Sequence, residues 1–220
     1  MLRWSLLVVL VTGCSSGSTA VDPQPPDPML TDAGACGVTT RNVPSTSANH
    51  VSETVALKFA SNPPCGGDHF SAWATWGVHD VVVPRGNWIH NLEHGGVALL
   101  YRCASRAACP EVAARLEAFA QTLPADPMCV APVKNRVVIT PDPDLPEGVQ
   151  VAAASWGYML VARCFDEALF RQFTTQRYGR GTESTCAQGF PSGTPGGMSD
   201  GGVDAPGDVA SDAGDTAAGG

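Results

Sequence analysis

The chain has 220 residues, enough for one domain with tails. Only 15 % of them are charged, and 21 Asp and Glu against 13 Lys and Arg leave a net charge of −8, which argues against a nucleic-acid binder because that function needs a basic surface. Eight cysteines in so short a chain point to an oxidising compartment.

The elements run as follows. Met1-Leu2-Arg3 carries one positive charge and precedes W-S-L-L-V-V-L-V, an apolar run too short to span a bilayer. Val11-Thr12-Gly13-Cys14 resembles a bacterial lipobox, so residues 1–13 read as a lipoprotein signal peptide and Cys14 as the lipidated residue. Ser15, where inner-membrane retention commonly uses Asp, favours the outer membrane. Residues 14–35, rich in Ser, Pro, Gly and Asp, read as a disordered tether. Residues 191–220 lack Lys, Arg and aromatic side chains and read as a disordered acidic tail.

The folded part is therefore residues 36–190. Val51–Ala60 alternates loosely and reads as a strand; N-P-P-C-G-G-D-H, residues 62–69, is loop. Val81–Val83 reads as a short edge strand stopped by Pro84. Gly96–Tyr101 is a buried strand. Pro110–Leu123 is a helix, with Pro110 in its first turn and Val112, Leu116, Phe119 and Leu123 on one face. Arg136–Thr140, Val149–Ala154 and Tyr158–Arg163 are strands, and Asp166 caps a last helix bearing Leu169, Phe170 and Phe173. These elements imply a single α+β domain, a mainly antiparallel sheet with two main helices.

Residues 88–97, W-I-H-N-L-E-H-G-G-V, bring two histidines and a glutamate within five positions. Three readings compete. His90-x-x-Glu93-His94 is the H-x-x-E-H pattern of one zinc-peptidase group, with Glu93 as general base. That pattern needs both histidines on a helix, and Gly95-Gly96 just before a strand leaves room for barely one turn. The segment is therefore expected as a loop or single turn entering the strand. A second reading makes the side chains a brace for that loop. In the third, His69 comes alongside His90 and His94 to bind a transition metal, with Glu93 as fourth ligand or as the group orienting an imidazole.

The ordered motifs resemble the bacterial domain-of-unknown-function family 3105. They are His50-Val51, Asn62-Pro63-Pro64…Gly67-x-His69, Trp76-Gly77-Val78, His90-Asn91-Leu92-Glu93-His94-Gly95-Gly96-Val97, Val137-Val138-Ile139-Thr140-Pro141, Ala154-Ser155-Trp156-Gly157 and Tyr178-Gly179-Arg180-Gly181. The resemblance covers most of residues 50–183 and implies no reaction. It places His50, His69, His90, Glu93 and His94 at the family's polar positions. His79 stands where the family usually has Tyr, and Cys65 and Asp68 depart from its T-S-G-P loop.

With Cys14 lipidated, seven cysteines remain: three disulfides and one free thiol. A local pair is expected among Cys103, Cys109 and Cys129, a bridge Cys164–Cys186 around the last helix, and a bridge Cys36–Cys65. The reading is then an extracytoplasmic, lipid-anchored binding protein rather than an enzyme. Its metal ligands are His69, His90, His94 and Glu93, for zinc or for copper, with Cys65 as a nearby soft donor. A metal-dependent hydrolase with Glu93 as base and a metal-free structural envelope protein are the alternatives. The membrane is the one partner implied.

Overall fold

The computed structural model describes residues 36–190. The stretches read above as signal peptide, tether and acidic tail, Cys14 among them, lie outside those residues. Five-residue strands form the centre: β5 (Val97–Tyr101), β6 (Val137–Pro141), β7 (Val151–Ser155) and β8 (Tyr158–Ala162). With β1 (Thr39–Asn42) and the two-residue β4 (Gly77–Val78) they make a six-stranded sheet in the order β1-β8-β7-β5-β6-β4. The strands β2 (His50–Val51) and β3 (His69–Phe70) pair separately, in parallel.

Strand period explains the layering. Val97, Leu99 and Tyr101 of β5 face one way, with Val137 and Ile139 of β6 and Val151 and Ala153 of β7. They meet α2 (Pro110–Thr122) and α3 (Glu167–Arg177) through Leu116, Phe119, Phe170 and Phe173. Ala98, Leu100, Val138, Ala152 and Ala154 face the other way, onto Trp88, Ile89 and Leu92 of α1 (Arg85–Glu93). The domain is α+β as expected, with helices on both faces of one sheet.

Several expectations need correction, but the mainly antiparallel sheet is not one of them: three of its five neighbouring pairs are antiparallel, and β5–β6 and β6–β4 are parallel. Helix α2 carries the chain back between β5 and β6, which a parallel pair requires. Val51–Ala60 is strand only at Val51, because most of that stretch is exposed and has nothing to pair with. Val81–Val83 is not a strand either. Val81 makes one bridge to Ser105, and the Val83 amide donates to the Thr140 hydroxyl.

The largest correction is α1, a nine-residue helix where a loop or single turn was expected. It has no side-chain cap, no acidic first turn and no exposed residue: Trp88 through Glu93 are all buried, polar and apolar alike. Tertiary packing rather than propensity holds it. Gly95 and Gly96 form its stop. Gly95, at φ +80°, donates to Leu92 O at 2.9 Å, and Gly96 to Asn91 O at 2.9 Å, the paired bonds of a Schellman end. The glycines that argued against a helix are the ones that close it.

Two of the expected disulfides are also overturned. Cys36 bridges Cys164 (Cα–Cα 4.8 Å) and Cys129 bridges Cys186 (5.0 Å), replacing Cys36–Cys65 and Cys164–Cys186. The cause is β1, which runs antiparallel to β8 with Thr39 opposite Val161 and so sets Cys36 just past the end of β8. The expected local pair is Cys103–Cys109. Among the described residues Cys65 is the free thiol, buried, and burial pushes its pKa up against a weaker lowering by Ser61. Three disulfides agree with an extracytoplasmic domain. No helix among the described residues is long and apolar enough to cross a membrane.

Candidate metal centre

Two short elements converge on the site. The parallel register of β2 and β3 sets His50 beside His69, with ring centroids 4.8 Å apart. Helix α1 then lies close against β3. A Cβ on Gly86 would stand 2.5 Å from the Phe70 ring, so only glycine permits this approach. One helical step places His90 and Glu93 on the face toward β3. Among the described residues, His50, His69, His90 and Glu93 form a group whose donor atoms all lie within 4.8 Å of one another.

Glu93 is the hub. Its Oε2 lies 2.9 Å from His69 Nε2 and 3.2 Å from His50 Nε2. Its Oε1 accepts from the Thr182 hydroxyl at 3.2 Å. Burial on its own raises the Glu93 carboxyl, but the contacts from His50, His69 and Thr182 outweigh it, and the net pKa is lowered. The group is a carboxylate.

The buried imidazoles are oriented by backbone. His69 Nδ1 lies 2.8 Å from Gly67 O, and His90 Nδ1 lies 2.8 Å from Phe70 O. A carbonyl only accepts, so each Nδ1 carries the hydrogen and each Nε2 is left for a ligand. Burial depresses His90 to about 3, which keeps it neutral at physiological pH. Trp73 tilts over His90 at 5.0 Å and Trp156 meets His69 edge-on at 5.8 Å, closing the sides with apolar surface.

His69, His90 and Glu93 from the sequence reading are thus brought together, and His50 joins them. His94 stands one ring away, 4.5 Å from His90 between centroids, and outside the group of four. Its Nε2 pairs with Glu183 Oε2 at 3.2 Å, while its buried Nδ1 has no hydrogen-bond partner among the described residues. Burial lowers its pKa and Glu183 partly opposes that. His79 points elsewhere, its Nε2 on Thr75 O at 2.8 Å. The Cys65 thiol contacts Ser61 and the Val43 carbonyl rather than the histidines.

Sequence reasoning missed the strap that closes the site from the C-terminal side. Thr182 reaches Glu93, the Glu183 amide donates to Glu93 O at 2.9 Å, and Trp73 and Trp76 both donate to Ala187 O. The Cys129–Cys186 disulfide fastens this strap. Nothing in the local sequence of residues 182–187 signals that role.

No curated protein and no solved structure matches the chain. A family model described as "Protein of unknown function (DUF3105)" matches residues 50–189, which take in all four residues of the group. That match spans well over half of the chain, and the protein belongs to the DUF3105 family.

Proposed function

We propose that this is a lipid-anchored envelope protein that binds a transition-metal ion, zinc or copper, through His50, His69, His90 and Glu93. The observation that carries the reading is the environment of His69. Its side chain is fully buried, and both ring nitrogens face oxygens that only accept: the Gly67 carbonyl and the Glu93 carboxylate. A neutral imidazole has one N–H and satisfies one of them. A cation lying between His69 Nε2, His50 Nε2 and Glu93 Oε2 satisfies the rest without a buried imidazolium.

The donor set fits. Metal bonds of about 2.0–2.2 Å put two ligands no more than about 4.4 Å apart, so the group closes by a few tenths of an ångström around an ion. Three imidazoles and a carboxylate, with no thiolate, suit zinc or oxidised copper better than cuprous copper. Glu93 serves here as a ligand. The hydrolase alternative asks it to stand off the ion as a base, yet Oε2 lies against two of the imidazoles. The direct test is the metal content of the purified chain and its titration with zinc and copper. One equivalent bound supports the reading; no binding of either ion overturns it.

The anchor is a separate part of the proposal, supported by the lipobox-like run before Cys14. Cys14→Ser is expected to move the protein from the membrane to the soluble fraction. An unchanged membrane fraction and unchanged mobility on a gel would show that something else holds it.

A further inference from the structure

The four residues of the centre are not equally held. His69, His90 and Glu93 are buried on β3 and α1, each with further bonds that fix its orientation. The His50 side chain is 43 % exposed. It stands on β2, whose one strand partner is β3, and no residue from 37 to 62 is buried. Near the site this stretch is tied by two exposed bonds from Asn49 to the Asp68 carboxylate, by the His69 amide on Asn49 O, and by half-buried Leu57 packed beside Gly86 of α1. Exposed, weakly packed segments open at low cost relative to the core. The His50 ring itself makes two contacts with the site besides its neighbour on β3, a stack on His90 at 4.5 Å and the bond to Glu93.

Resting on the metal-binding reading above, we propose that His50 is the exchangeable ligand of the centre and that an external imidazole-type nitrogen donor can take its place on the ion. The step is an exchange of neutral donors. The bond from the ion to His50 Nε2 breaks, a bond to the incoming nitrogen forms, and the charge of the centre stays the same. Asp68 and Glu53 flank β2 on the surface, so an anionic donor approaches against like charge while a neutral nitrogen does not. The same opening is the path by which the ion enters and leaves. The three buried residues keep their hold meanwhile, which separates this arrangement from a structural site closed on all sides.

The experiment uses Co2+ as the probe, whose visible absorption reports ligand number and type, with the full chain, His50→Ala and His69→Ala. His50 has no place in the hydrophobic core, so its replacement leaves the fold intact. The wild type is expected to bind one Co2+. His50→Ala is expected to bind it about 10- to 100-fold more weakly. Added free imidazole is then expected to restore the affinity and return the spectrum toward that of the wild type. His69→Ala is expected to show neither binding nor rescue. If His50→Ala binds Co2+ as tightly as the wild type, His50 is no ligand and the inference is overturned. It is also overturned if imidazole fails to rescue His50→Ala, or rescues His69→Ala equally well. A wild-type chain that binds no Co2+ would instead overturn the metal-binding reading on which this rests.

Discussion

His69→Ala is expected to abolish binding of zinc and copper, weakening it by more than about 100-fold. Groups that only orient a ligand are worth about 10- to 100-fold, and a fully buried ligand is worth more. The loss has two parts. The substitution removes one donor, and it frees the Glu93 carboxylate from the nearer of its two imidazoles. His90→Ala is expected to behave likewise. His94→Ala is expected to weaken binding without abolishing it, since His94 packs on His90 and pairs with Glu183 outside the group. His79→Ala should leave the affinity unchanged. Competition against a chelator measures all four, with the melting of the metal-free forms as the check on folding. Wild-type affinity in a folded His69→Ala protein would remove the centre from consideration.

The second large effect is expected at Arg136, where truncation to Ala should cost about 3–5 kcal/mol, the usual consequence of stranding one half of a buried ion pair. Arg136 and Asp126 are both about 95 % buried, joined at 2.8 Å. The guanidinium also donates to His94 O at 2.6 Å, at the end of α1, where a positive charge favours the helix dipole. The Tyr178 hydroxyl donates to the same Asp126 oxygen at 2.7 Å. For a domain of this size the cost corresponds to a fall in Tm of about 6–20 °C. Replacing both partners together, Arg136→Met with Asp126→Leu, should recover much of it, because no charge is then left unpaired.

Acid should expose the same network. Burial alone raises the Asp126 carboxyl, but Tyr178, the Met128 amide and Arg136 outweigh it, so its folded value lies below the ordinary 3.8. Between the two values the unfolded chain binds more protons. The contribution is therefore complete above 3.8 and is lost as pH falls from there through the folded value. Asp126→Asn should lack that part of the acid limb in denaturation curves taken across pH. An acid limb identical to that of the wild type would show that Asp126 does not carry it.

What could be read from the sequence was whatever carried its own signal. Val97–Tyr101 is an unbroken apolar run because β5 is buried on both faces. Pro110 and Asp166 marked their helices, and the Asp166 side chain does accept from the Leu169 amide. Helix α1 had no such signal. Gly86, Asn87 and Asn91 are weak helix formers, and burial all round erases the period that betrays an amphipathic helix. The site suffered from the same blindness. Three histidines and Glu93 stood out as residue types, and the family resemblance added His50. The membership of the group depended instead on a two-residue parallel pairing and on the close approach at Gly86, neither of which leaves a pattern in sequence.

The strap ending at Cys186 has a consequence for how the protein matures. Glu93 is held on one side by β2, near the start of the domain, and on the other by Thr182, near its end. A chain made from its N-terminus therefore presents its donors long before the walls of the site are complete. Only after residue 186 has followed, and its sulfur has closed on Cys129, is the last wall in place. On the metal-binding reading proposed above, loading is expected to follow oxidation, and a chain kept reduced is expected to hold the ion more weakly than the oxidised chain even with every ligand present.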